Sequence, residues 1–151
     1  MLDIEDFKKK LDKKSRLMGI DPGRRRIGIA ISDNKKKIST PYTTLIKKDY
    51  SKFLLEIKKI VKENEIKGIV IGNPLTLDGF KGKSSQAAND FAKNLSKNIT
   101  IPIALWDERL SSEGTFKITK ELGTNVTNRV KKLDKNAAAF ILQGAIDYLS
   151  N

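Results

Sequence analysis

The sequence predicts an α/β domain on a mixed five-stranded sheet, a three-strand meander followed by two βα units, with helices on both faces. Three observations predict it: short apolar runs broken by turn residues from Leu17 to Leu45, a change to helical spacing at Phe53, and two later strand-like runs, each joined to a helix. At 151 residues the chain has the length of one domain and can bury a substantial core.

Residues 1–16 carry Lys8-Lys9-Lys10 and Lys13-Lys14 among few apolar residues, and are expected to form a basic arm or short helix outside the core, preceding a single domain over 17–151. Leu17 to Ile20 is a strand stopped by Asp21-Pro22-Gly23; Arg26 to Ser32 returns, and Ile38 to Leu45 returns again after a lysine-rich turn. Phe53, Leu54, Ile57, Ile60 and Val61 then keep helical spacing, with Asp49 or Ser51 as N-cap. Gly68 to Gly72 is a buried strand closed by Asn73-Pro74, and Ser84 to Leu95 is a helix with Ala87, Ala88, Phe91, Ala92 and Leu95 on one side. Ile101 to Trp106 is the last strand. A helix over 112–122, a polar stretch over 123–132 and a helix from Asp134 to Leu149 complete the chain.

Composition restricts the chemistry. The chain has no Cys and no His, which removes thiolate nucleophiles, zinc–thiolate sites, imidazole bases and Ser-His-Asp triads, so any metal must be held by oxygen. With 30 Lys and Arg against 18 Asp and Glu the formal charge is +12, which suits a polyanionic partner. No apolar stretch approaches the roughly 20 residues of a membrane span, and the N-terminus lacks a signal peptide's apolar segment, so no membrane partner and a cytoplasmic location are expected.

Acids stand at structurally telling positions. Asp21 closes the first strand, Asp107-Glu108 closes the last, and Asp134 begins the apolar stripe Ala138, Ile141, Ala145 of the final helix. Each has an ordinary role available: an Asx turn at Asp21, a local Glu108–Arg109 pair, a first-turn acid at Asp134. Taken together, converging carboxylates suit one or two Mg²⁺ or Mn²⁺ ions, which promote water's in-line attack at phosphorus. Arg24, Arg25 and Arg26 lie beside Asp21 and suit phosphate contacts. In the 74–84 connection, Asp78, Gly79, Gly82, Lys83 and Ser84 offer close backbone approach and a helix start that suits phosphate.

These residues fall into four ordered motifs. Gly19-Ile20-Asp21-Pro22-Gly23 with Arg26 to Asp33, Gly72-Asn73-Pro74-Leu75 through Asp78-Gly79 to Gly82, Asp107-Glu108-Arg109-Leu110-Ser111-Ser112, and Asp134 with Ala137-Ala138 and Ile141-Leu142-Gln143 together resemble the YqgF/RuvX family of ribonuclease H-like pre-16S rRNA nucleases and Holliday-junction-resolvase-like proteins. Asn73 departs from the family's usual apolar residue and Gly114 from its usual Ala. The resemblance implies a ribonuclease H-like nuclease domain over 17–151, with Asp21 and Asp134 as metal ligands and Asp107 or Glu108 as the third. Strand alternation lets only one of that pair face the cluster. Arg109, and Arg129 in the polar stretch, join the expected nucleic-acid contacts.

The implied activity is a metal-dependent endonuclease acting on structured nucleic acid, with 5′-end processing of pre-16S rRNA in ribosome biogenesis foremost. Holliday junction resolution in DNA recombination and a non-catalytic RNA-binding assembly factor are the alternatives. The expected partners are an rRNA precursor or branched DNA, and a pre-ribosome. Monomer and dimer both stay open, since symmetric junction cleavage requires paired sites.

Overall fold

A computed structural model describes residues 2–23, 25–74, 83–108 and 126–150, with the side chains of 83, 84 and 126–135 outside that description. The elements run α1 (Ile4–Lys9), β1 (Arg16–Pro22), β2 (Arg26–Ser32), β3 (Ser39–Ile46), α2 (Tyr50–Glu63), β4 (Ile66–Asn73), α3 (Lys83–Asn98), β5 (Ile103–Asp107) and α4 (Val126–Leu149). The strands lie in the order β3-β2-β1-β4-β5. Tight turns make β1, β2 and β3 an antiparallel meander, while the crossovers through α2 and α3 make β4 parallel to β1 and β5 parallel to β4. The expected five-stranded mixed sheet is therefore present.

Both faces are covered, which is why β1, β2 and β4 read as nearly continuous apolar runs. Met18, Ile20, Ile29, Ile69, Ile71 and Ile103 pack with Phe53 and Ile57 of α2 and Phe91 and Leu95 of α3. The alternate residues Leu17, Ala30, Val70, Ala104 and Trp106 pack with Ala138, Ile141, Leu142, Ala145 and Ile146 of α4. Trp106 is a core residue, 1% exposed. On the α4 side, Gly19 and Gly72 let the helix settle close to the sheet. A Cβ on Gly19 would lie 2.6 Å from the Leu142 Cβ, and one on Gly72 would lie 2.5 Å from the Ile141 Cδ1.

Two expectations are corrected. The N-terminal arm does not lie wholly outside the core: Phe7 is fully buried against Gly68, and the Leu2 N–H donates to the Ile103 carbonyl at 2.9 Å, extending the sheet past β5. Asp3 caps α1 by accepting from the Asp6 N–H at 2.8 Å. Ile4, Phe7 and Leu11 keep helical spacing, but the lysines between them, which are exposed, dilute the pattern. The final helix also starts earlier than expected, because Val126, Val130 and Leu133 continue its apolar spacing through the polar stretch. The helix expected over 112–122 and most of the 74–84 connection lie outside the described residues.

Candidate active site at the carboxyl ends of the central strands

Parallel pairing brings the carboxyl ends of β1, β4 and β5 to one edge of the sheet. Ile20 pairs with Ile71, Gly72 with Trp106 and Asn73 with Asp107, so Asp21 sits level with Gly72 and Trp106, one residue short of Asp107. In open α/β sheets this edge is where ligands bind.

Alternation divides the acids between the two faces. Asp21 follows Leu17 and Gly19, and Glu108 follows Ala104 and Trp106, all on the α4 side; Asp107 follows Ile103 and Leu105, which face α2 and α3. Of the pair left open by the sequence, Glu108 shares the face of Asp21. Its carboxyl carbon lies 3.5 Å from where a Gly72 Cβ would be, so Gly72 makes room for Ile141 and Glu108 together.

The electrostatics record this crowding. Burial pushes the Glu108 carboxyl up to about 7, and the charges of Asp21 and then Asp107 push in the same direction. Among the described residues no group of three or more acids lies close enough to hold a metal ion.

Asp134 lies on the α4 backbone, and its side chain is outside the described set. Gln143 fixes the direction of α4: it accepts from the Ser39 N–H at 2.9 Å and donates to the Lys37 carbonyl at 3.0 Å, at the sheet end opposite Asp21. Nearer the site, the Ala138 carbonyl lies 2.9 Å from the Cβ position of Gly19. From Ala138 back to Asp134 is about 6 Å along the helix, and from Gly19 to Asp21 is about 6.6 Å along the strand. The backbone register therefore carries Asp134 toward the Asp21 end.

The other expected contacts distribute unevenly. Arg25 and Arg26 are exposed in the turn after Asp21, with Asp21 paired to Gly28 across the hairpin. Lys83 and Ser84 begin α3, and Arg129 lies in the first half of α4, each described by backbone alone. Arg24, Asp78, Gly79, Gly82 and Arg109 lie outside the described residues. One contact escaped the sequence reading: the Ser85 hydroxyl donates to the Asn73 side-chain oxygen at 2.7 Å, tying the start of α3 to the end of β4. Ser85 is fully buried, and the signal for the pair was the polar Asn73 at the close of an apolar strand.

The strand order, with helices on both faces of a mixed sheet, is that of a ribonuclease H-like fold, and comparison with solved structures agrees. Thermus thermophilus RuvC, solved in complex with a Holliday junction substrate, superposes with a TM-score of 0.54 at 9% identity, covering 91% of this chain and 96% of that one. Residues 15–148 match the family described as "RuvX: Holliday junction resolvase", and the chain belongs to that family. A relative from Pelagibacter ubique is 50% identical over 151 residues, the whole of both chains, and one from Rhodobacter capsulatus is 38% identical over 98% of this chain and 93% of its own. Both bear the name "Putative pre-16S rRNA nuclease".

Proposed function

We propose that this chain is a metal-dependent endonuclease that hydrolyses phosphodiester bonds in structured RNA, processing the 5′ end of pre-16S rRNA in the cytoplasm in association with the pre-ribosome. Membership of a family whose full-length relatives are named as nucleases supports a hydrolase of phosphodiesters. The observation that carries the reading to this site is the half-buried Glu108 carboxyl, beside Gly72 and within the influence of Asp21 and Asp107, where β1, β4 and β5 end together.

The donor set fits Mg²⁺ or Mn²⁺ because it is all oxygen, and burial, with the charges of Asp21 and Asp107, raises the Glu108 carboxyl to about 7. Asp21 and Glu108 on the α4 face, with Asp134 from α4 and Asp107 at the strand end, would hold one or two such ions, which neutralise charge developing at phosphorus. The protein's own groups do the rest. Gly72 keeps the floor low enough for the Glu108 carboxyl, and the half-buried Asn73–Ser85 bond fixes α3 against the same edge. Arg25 and Arg26 supply positive charge for the flanking phosphates, with Arg24, Asp78, Gly79, Gly82, Lys83, Ser84, Arg109 and Arg129 as further contacts from the adjoining segments.

The test is parallel incubation of wild type, Asp21→Asn and Asp134→Ala with labelled precursor rRNA and a four-way DNA junction in Mg²⁺. Wild type should cleave the precursor, and both variants should fall by more than about 100-fold, the scale of losing a central charge in such a site. Cleavage by Asp21→Asn at the wild-type rate refutes the reading. The family's description favours junction resolution as the second reading, which paired incisions in the junction alone would establish.

A further inference from the structure

The edge that carries the carboxylates carries a second cluster on its other half. β2 begins at Arg26 and β3 ends opposite it at Ile46, and the Lys47 N–H donates to the Arg25 carbonyl at 2.8 Å. This pairing sets Arg25 and Arg26 beside Lys47 and Lys48, and all four are exposed. Lys47 is held in place, with its Nζ 5.4 Å from the centre of the Phe91 ring on α3. Phe91 is itself fixed in the core, with Phe53 at 5.7 Å and Tyr50 a further 6.2 Å on.

Nothing described neutralises these cations. The nearest acid in sequence, Asp49, accepts from the Ser51 N–H at 2.9 Å as the cap of α2. The Lys59–Glu63 ion pair lies apart from them, on the outer surface of α2. Four like charges gathered on paired backbone repel one another, a cost that a polyanion offsets.

We propose that Arg25, Arg26, Lys47 and Lys48 form a shelf for the backbone phosphates of a nucleic-acid strand as it leaves the carboxylate site. This rests on the nuclease reading and adds to it a path for the substrate. β3 lies two strands from β1, about 10 Å, and at about 3.4 Å of rise per nucleotide the shelf engages phosphates about three nucleotides from the reacting one. Backbone contacts of this kind set register and orientation without reading bases.

The test uses the full chain in EDTA, so that binding is read without cleavage. The probe is a fluorescein-labelled single-stranded RNA of about 20 nucleotides, with its anisotropy followed across a salt series. Each lost phosphate contact lowers the slope of log K against log salt by about 0.7, so Lys47→Gln/Lys48→Gln should lower it by about 1.4 and weaken binding about 25-fold at 0.1 M salt. Lys35→Gln/Lys37→Gln, which removes the same charge at the far end of the sheet, should change affinity by less than about threefold. Lys47→Arg/Lys48→Arg should retain both slope and affinity, which shows that charge at these positions is what binds. Equal losses in the two Gln pairs, or absence of RNA binding by wild type, overturn the shelf. Cleavage that survives Asp21→Asn overturns the nuclease assignment while leaving this binding result standing.

Discussion

Replacing Glu108 with Gln should stabilise the metal-free protein at pH 8 and leave it almost unchanged at pH 4.5. The carboxyl is raised from 4.5 to about 7 in the folded chain by burial and then by Asp21 and Asp107. Between those two values the folded state binds more protons than the unfolded state, so wild-type stability falls as pH rises through the window. At about 1.36 kcal/mol per pH unit the full rise is worth about 3.4 kcal/mol. Glu108 is only half-buried, and screening by water brings the expected effect to about 1–2 kcal/mol. Gln has nearly the same shape and no charge to lose, so the gain appears only as wild-type Glu108 ionises. Urea unfolding of both proteins in EDTA at pH 4.5, 6 and 8 measures it, and titrations elsewhere cancel in the difference. A chain of this length should show a shift of a few °C in Tm at pH 8. A gain of equal size at all three pH values, or a loss at pH 8, would refute the burial of the Glu108 carboxyl beside the other acids of this edge. Millimolar Mg²⁺ should reverse the ranking, since ion binding stabilises only the native state and wild type holds the ion more tightly.

Three further outcomes follow from the packing and the site. Phe7→Ala should cost about 3–5 kcal/mol in denaturant unfolding, because the ring is fully buried over Gly68; a loss below 1 kcal/mol would return α1 to the surface. Gly72→Ala should cost about 1–3 kcal/mol and lower cleavage as well, since its methyl would sit 2.5 Å from the Ile141 Cδ1 and beside the Glu108 carboxyl; wild-type activity in this variant would separate Gly72 from the site. Removing divalent ions with EDTA should abolish cleavage, and restoring Mg²⁺ should recover it more fully at pH 8 than at pH 6, because ion binding must displace the proton that Glu108 retains up to about 7.

What the sequence made legible followed the local patterns. β4 was readable because both its faces are buried, leaving an uninterrupted β-branched run, and α2 because Phe53, Ile57 and Ile60 repeat on one side. The docking of α1 on the core was not, since its single fully buried ring sits among exposed lysines and its partner, Gly68, is far away in sequence. Which of Asp107 and Glu108 shares the face of Asp21 could not be read from β5 alone. Ile103, Ala104, Leu105 and Trp106 are all apolar, so nothing in the strand marks which face meets α4; the packing of Trp106 supplies that label. The Lys47–Phe91 contact was invisible for the same reason: its partners lie on separate elements joined only by folding.

The sheet edge gives the net charge of +12 a more particular meaning than attraction to polyanions. A cation against Glu108 would draw its carboxyl down, yet among the described residues the causes that act on it are burial and two other acids, all raising it. Arg25, Arg26, Lys47 and Lys48 cluster instead on the β2–β3 half of the edge, where the described residues leave them without ion pairs. Had the two groups been mixed, each would have satisfied the other, and neither a divalent ion nor a phosphate strand would gain much by binding. Kept apart, the acids favour a hard cation, while the bases favour phosphates. On the proposed reading, that separation costs the free protein stability through two repulsive clusters, a cost that bound ion and substrate relieve together. Mg²⁺ and RNA should therefore each bind more tightly in the presence of the other, and titration of a non-cleaving Asp134→Ala variant with both, against wild type in Ca²⁺, would show whether that coupling passes through the carboxylates.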